Sequence, residues 1–456
     1  MKNVLIKAAL LAACSGAMLV TTQAEAANWL LLQGSEPTGT AGRAKVWGFL
    51  QPTYQKDYSD ITSAPRPEPT RIGPNLENQS QFQLQRARIG VRGTAMPIDS
   101  NVDYFIMAEF GHNAATDGGI YGERTPVRLM DASVTLNHIK GARIRTGLFK
   151  TPGSEEILQG IVNLNYINFT WAANQLLLER FSRGVVNGNA DGVLAPSEFQ
   201  WDSTFGAGRD IGVQVFDAFP VGAWEHSYAV MVGNGNGLEP GRATFGDGGS
   251  GSAKLDTYLY WSSEWVFGGE GPRREGWKSY IWSQTGERDF DATDDGAVNP
   301  TTHDRKRMGV GTYYRRGDWR LAGEYIKAEG MIFQGPEKPW FGIQNNGTSI
   351  NPANLDLDGE ADGWSVDVGY YIPGTKWELD ARYDVLHRSS DHDNISADFK
   401  SLTGGIQYHL NKKSRITLNY ENREMEALDA TAPVGALAKG APKVADRLGV
   451  QLTVIF

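Results

Sequence analysis

From residue 44 to the C-terminus, apolar and polar side chains alternate with a period of two, the pattern of strands whose two faces meet different surroundings. The last stretch is the clearest: Leu448, Val450, Leu452, Val454 and Phe456 share one face, and Arg447, Gly449, Gln451 and Thr453 the other. The same rule predicts sixteen strands, at 44–54, 81–95, 101–111, 127–139, 142–150, 208–219, 224–233, 254–267, 277–286, 304–316, 318–329, 361–372, 376–387, 399–410, 413–423 and 445–456. Most are near the ~9 to 11 residues that cross a bilayer at a tilt. Apolar stripes run along them, as at Ala132, Val134 and Leu136; Trp364, Val366, Val368, Tyr370 and Ile372; Leu379, Ala381, Tyr383 and Val385; and Ile416, Leu418 and Tyr420. Trp47, Tyr54, Tyr314 and Trp377 fall towards strand ends, where an interfacial girdle belongs.

The connections alternate independently of the strands. After even-numbered strands they are tight and built from turn residues: Lys140-Gly141, Pro220-Val221-Gly222, Gly317, Pro373-Gly374-Thr375 and Asn411-Lys412. After odd-numbered strands they are long, from 388–398, the shortest, to 151–207, the longest. Short and long connections in strict alternation predict an all-β fold: a transmembrane, antiparallel, up-and-down β-barrel of 16 strands with short periplasmic turns and long extracellular loops. A soluble sandwich also alternates, but it predicts neither the connection lengths nor the final aromatic Phe456, which resembles the signal read by outer-membrane assembly machinery.

Composition agrees. The 54 glycines and 11% aromatics are high for a chain of polar average hydropathy, and after residue 26 no run reaches the ~18 apolar residues of a membrane helix. Residues 1–26 read as a cleaved secretory signal: Lys2 and Lys7 form a positive start, Ala8 to Val20 an apolar run, and Ala24-Glu25-Ala26 a small-residue cleavage site. Leu11-Ala12-Ala13-Cys14 looks like a lipoprotein box, but the apolar run continues past it. Cleavage removes Cys14, the single cysteine, so no disulfide is expected. Residues 27–43 are expected to be a periplasmic N-terminal segment and 44–456 the barrel. The net charge of −9 argues against nucleic acid as a partner, and loss of the signal makes it one unit more negative.

If the apolar set faces lipid, the other set fills the interior. That places Arg86, Arg88 and Arg92 inside from one strand and Arg143 and Arg145 from another, with Arg307, Arg315, Arg382 and Arg415 from later ones. Guanidinium groups in a low-dielectric bore raise the local anion concentration and grip phosphate or carboxylate oxygens in pairs. Asp103, Glu109, Asp131, Glu324, Asp367, Glu378, Asp380 and Asp384 point inward by the same rule, so the alternative is that the arginines neutralise carboxylates across neighbouring strands. The connection 151–207 is too long for an idle loop, and its apolar stretch 160–181 needs burial. Folding into the lumen would narrow an otherwise wide channel. Capping the mouth or packing on a neighbouring subunit are the alternatives.

Three apparent motifs do not carry chemistry. Gly233-Asn234-Gly235-Asn236-Gly237 lacks dinucleotide-loop spacing. Asp356-Leu357-Asp358-Gly359-Glu360 places its glycine too early for a calcium loop. His387, Asp391, His392 and Asp393 read as a solvated polar loop. Neither cofactor nor metal is expected.

Three segments resemble the phosphate-selective porins O and P: Gln85-Arg86-Ala87-Arg88-Ile89-Gly90-Val91-Arg92-Gly93, Arg145-Thr146-Gly147-Leu148-Phe149-Lys150-Thr151-Pro152, and Gly323-Glu324-Tyr325. The resemblance implies a trimer and a ladder of arginines leading to a constriction of arginines and a lysine, with Arg86, Arg88, Arg92 and Lys150 as counterparts. No adjacent Arg-Arg pair occurs in the second strand, a departure from that pattern. The expectation is a non-enzymatic Gram-negative outer-membrane porin. It would touch lipid and lipopolysaccharide and pass small anionic or polar solutes, phosphate included. The alternatives are a general or cation-tolerant porin and, in other classes, an outer-membrane hydrolase or a structural, partner-binding barrel. The hydrolase lacks a convincing Ser beside any of the seven histidines.

Overall fold

Sixteen strands form one antiparallel sheet that closes on itself. They are β1 (Lys45–Asp57), β2 (Ser80–Ala95), β3 (Asp99–Glu109), β4 (Arg128–Leu136), β5 (Arg143–Lys150), β6 (Arg209–Val221), β7 (Trp224–Gly233) and β8 (Asp256–Gly268). There follow β9 (Glu275–Phe290), β10 (Thr301–Arg316), β11 (Trp319–Glu329), β12 (Glu360–Tyr371), β13 (Trp377–Arg388), β14 (Ala397–Asn411), β15 (Ser414–Ala427) and β16 (Arg447–Ile455). The computed structural model describes residues 28–33, 44–58, 80–113, 116, 127–178, 183–184, 199–200, 208–235, 254–269, 274–290, 301–333, 344–345, 349–350, 355–391, 396–427 and 445–456. The signal expected at 1–26 lies outside them.

All sixteen predicted strands are present, and their ends show where alternation stops being informative. β9 and β10 run to Phe290 and from Thr301, pairing Glu287 with Asp304 and Asp289 with Thr302 beyond the expected ends at 286 and 304. The sequence there is mostly polar, so the alternation ends while the backbone ladder continues. The fifth long connection therefore shrinks to 291–300.

β1 and β16 close the barrel. Leu50 pairs with Val454 and Tyr54 with Val450, while Gly48 and Phe456 exchange backbone hydrogen bonds of 3.2 and 2.9 Å. Inside this seam Gln51 donates to Thr453, and Gln451 to Thr53 and Gln85. A closed sheet leaves no edge for aggregation. The tight turns include Gly222 and Gly317, both at positive φ with open space where a Cβ would go.

The exterior carries the predicted apolar stripes, with Val366, Leu379, Leu418 and Leu402 among its exposed side chains. At the turn end it also carries an aromatic belt, in which Trp224 meets Trp265 at 5.7 Å, and Trp319–Tyr370 and Trp377–Tyr408 each meet at 4.6 Å. An apolar surface this continuous suits hydrocarbon rather than water, and Trp and Tyr suit the interface. Trp47 departs from expectation. Its partner Gly90 lies on the inward row with Arg88, so the indole turns into the lumen and packs on Phe49 and Phe105 at 6.4 and 5.9 Å. It is inside because the lumen itself contains apolar structure: Ile161 and Leu164 of the third long connection join Phe49 there.

Candidate pore and constriction

The third long connection enters the barrel, and its described part, 151–178, is among the most buried stretches of the chain. Ile167 and Ala173 are fully covered, and Trp171, Leu176 and Leu177 join a cluster with the inward wall residues Phe216, Trp282, Ile326 and Phe399. Burying each such apolar side chain is worth roughly 1.5–3 kcal/mol, enough to hold a loop that would otherwise lie in water. The loop contains a short helix α2 (Glu155–Leu158), a 3₁₀ turn (Ile161–Asn163) and a wide helical turn (Ala173–Leu177). The interior residues beside it are shaped to receive it. A Cβ added at Gly449 would fall 2.8 Å from the Ile167 side chain, and one at Gly363 would fall 2.8 Å from the Ala172 side chain.

Polar contacts fix the loop around the circumference. The Ile167 amide donates to Asn419 at 2.8 Å, the Trp171 amide to Asp384 at 2.8 Å, Asn168 to Glu421 at 2.6 Å and Ser154 to Glu324 at 2.7 Å. Lys278 is ion-paired with Glu155. Glu156 accepts from the Thr170 amide and hydroxyl at 2.9 and 2.6 Å and lies 3.5 Å from Arg382. Burial pushes its carboxyl above the usual carboxylate range against the pull of Arg382. Burial likewise pushes the Tyr166 phenol up, and the Arg382 guanidinium lies over that ring at 4.4 Å.

The ten cations proposed from sequence divide by what they touch. Several hold loop carbonyls: Arg86 donates to Ile167 O at 3.4 Å, Arg382 to Asn168 O at 3.1 Å, Arg307 to Leu176 O at 3.0 Å, and Arg415 to Leu164 O. Lys150 donates to the carbonyls of Ile157, Leu158 and Gln159 at 2.9, 3.2 and 2.6 Å, closing the C-terminus of α2. A second group faces carboxylates, Arg88 with Glu109 at 2.6 Å and Arg143 with Asp217 at 3.4 Å. Arg145 is buried over the Phe216 ring at 4.3 Å, and Arg92 reaches Leu32 O at 3.5 Å. Arg315 donates to the Tyr313 hydroxyl at 3.3 Å. All eight predicted inward carboxylates lie on the lumen side, and the cross-strand alternative accounts for part of the arginine set.

Below the loop, towards the turn end, lies a cavity of about 800 Å³. Of the ten predicted cations, Arg315, Arg382 and Arg415 line it. Sequence reasoning missed Arg274, Lys278, Arg320, Lys376, Lys412 and Lys413, which also line it. Arg320 and Lys278 obey the same inward alternation. Arg320 hydrogen-bonds Asp367 and Asp380, both at 2.6 Å, and Lys278 was obscured by aromatics on both faces of β9. Lys412 lies in a turn, and so do Lys376 and Lys413, which were expected as the first residues of strands 376–387 and 413–423 but lie just outside them, where alternation assigns no face. His387 pairs with Asp398 at 2.7 Å, while His392 and Asp393 lie outside the described residues.

The segment expected to lie in the periplasm also reaches this space. Residues 28–33 include α1 (Trp29–Leu32), whose Leu30 and Leu31 are buried against Ile157 and Leu158 of α2 and the wall residues Phe216 and Ala229. Trp29 lines the cavity. The rest of 27–43 lies outside the described residues. The apolar run of α1 has a lower free energy in this cluster than in water.

No protein-family profile matches the chain, and no curated protein matches it. Among solved structures it is similar to the anion-selective porin from Comamonas acidovorans, at 12% identity and a TM-score of 0.51 over 91% of this chain and 99% of that one. It is also similar to OmpF of Salmonella typhi in complex with daunomycin, at 12% identity and a TM-score of 0.52 over 91% of this chain and 97% of that one. The resemblance to the phosphate-selective porins thus rests on its three short segments, and the chain has the closed sixteen-stranded antiparallel barrel fold of porins.

Proposed function

We propose that this barrel is a Gram-negative outer-membrane channel through which small hydrophilic solutes diffuse passively, with a preference for anions. The observation that carries the reading is the sorting of side chains. Apolar residues cover the outside, charged ones line the inside, and the turn-end cavity holds more cations than carboxylates, the excess collected at its mouth in Lys376, Lys412, Lys413 and Arg415. A bore of that kind concentrates anions and replaces part of their hydration by weak, repeated contacts, so that they enter and leave. The neighbour from Comamonas acidovorans is described as anion-selective, in accord with this reading. Phosphate is the solute the family resemblance suggests. With Arg86 and Arg88 engaged by Gln51, Ile167 O and Glu109, the vestibule lysines and Arg315 are the better candidates to meet it. The same resemblance supports a trimer in contact with lipid and lipopolysaccharide.

Planar-bilayer recording in a KCl gradient tests the reading. The expected reversal potential has the sign of chloride permeation and moves towards zero at high salt, as screening shortens the reach of the lysines. A cation-selective potential removes the anion preference, and absence of current removes the open channel.

A further inference from the structure

We propose that residues Asn28–Gln33 form a second constriction element, a strap wedged between the constriction loop and the wall, and that Trp29 is the side chain through which it meets the permeating solute. The proposal rests on the channel reading above.

The strap is held at both ends and along its length. Asn28 Nδ2 donates to Glu225 Oε1 at 3.0 Å and Ser227 Oγ at 2.6 Å, fixing its start to β7. The Asn28 carbonyl accepts from the Leu31 and Leu32 amides, each at 3.0 Å, winding the single turn of α1. Gln33 Nε2 donates to Leu158 O at 2.6 Å, so the far end is tied to α2. Lys150 donates to the same carbonyl, so strand β5, the loop and the strap meet at one acceptor. Arg92 reaches Leu32 O on the other side. Between these ties Leu30, 2% exposed, and Leu31, 7% exposed, fill the space between α2 and the wall at Phe216, Ala229 and Tyr260.

The arrangement has two consequences for a bore. Sequence-distant elements prop each other: α2 backs onto the strap, and the strap onto β6 and β7, so losing the strap frees α2 on one side. The strap also occupies cross-section itself, because a helical turn with its side chains is about 10 Å wide. Trp29 faces the cavity with Gln159 and Asn163, where an indole sets both width and polarity. The strap thus narrows the lumen together with the third long connection.

Single-channel recording of the full exported chain beside three variants tests this. A deletion of residues 28–33 removes the strap. Leu30→Glu with Leu31→Glu keeps the length but places two unpaired charges in an apolar cluster, which unseats it. Trp29→Ala keeps the strap seated. The first two are expected to raise conductance roughly twofold and to admit larger polyethylene glycols than the wild type, as when a helix-wide element leaves an aqueous bore. Trp29→Ala shifts the excluded size with a smaller rise. If the wild type conducts and all three variants match it, the strap proposal is overturned while the channel reading stands. If neither wild type nor variants carry current, the channel reading is overturned and the strap's role with it. Hydrogen exchange supplies a readout without current. The Leu31 and Leu32 amides of the wild type exchange slowly if the strap is seated, and random-coil rates there overturn the proposal whatever the conductance.

Discussion

Arg307→Ala is expected to destabilise the folded barrel by about 3–5 kcal/mol and to loosen the third long connection, because its guanidinium ties that connection, the wall strands and the sixth connection together through backbone carbonyls. The Arg307 side chain is 1% exposed. Its guanidinium donates to Leu176 O at 3.0 Å, Lys306 O at 2.9 Å, Glu329 O at 3.3 Å, Gly330 O at 2.9 Å and Met331 O at 2.8 Å. It thereby joins the wide helical turn of the third long connection to the start of the sixth. Hydrogen bonds to a charged donor are worth about 1.5–3 kcal/mol each, and truncation leaves buried acceptors without this donor, so the loss exceeds that of one bond. Arg307→Lys recovers little, since an ammonium on a flexible stem lacks the fork that reaches several acceptors together. The measurement is the temperature at which the folded form loses its compact mobility in detergent electrophoresis, lower in both variants and lowest in alanine. Noisier open-channel current is expected from Arg307→Ala at temperatures where it remains folded.

Lys376→Glu, Lys412→Glu and Lys413→Glu together are expected to reverse the anion preference proposed above. All three side chains are exposed and line the turn-end cavity, so little folding energy depends on them. Six units of charge change at the mouth of a bore with low-dielectric walls, where field lines are focused. The reversal potential in a KCl gradient should change sign. The change should be large near 0.1 M salt, where the Debye length is about 10 Å, and fade near 1 M, where it is about 3 Å. An unchanged potential at low salt would place selectivity at the constriction, among Arg382, Glu156 and Asp384, instead of at the mouth.

Why the barrel was legible and the constriction was not follows from what each depends on. Strand identity is a local property of alternation, so β12 and β13 could be read from Trp364 to Tyr370 and from Leu379 to Tyr383 without knowing their neighbours. Side-chain roles inside depend on what occupies the lumen, and periodicity says nothing of that. Arg86, Arg307 and Arg382 belong to the inward set of their strands, but the partners that define them are carbonyls of a loop far away in sequence. Trp47 turned inward for the same reason, since the surface it packs on comes from Phe49, Phe105 and the entering loop. The strap was hidden by length. Trp29-Leu30-Leu31-Leu32 is too short to show a helical period, although four large apolar residues in a row outside any strand were a sign of burial.

Everything turns on water lying inside the sheet and hydrocarbon outside it. The most direct test introduces cysteine singly at neighbouring positions and adds a charged, water-soluble thiol reagent while current is recorded. Ala322, Ser365 and Thr453 line the cavity, whereas Leu321, Val366 and Leu452 stand beside them on the outer face. The reagent is expected to lower the current through Ala322→Cys, Ser365→Cys and Thr453→Cys and to leave Leu321→Cys, Val366→Cys and Leu452→Cys unaffected. Block at the second set with none at the first would contradict this expectation.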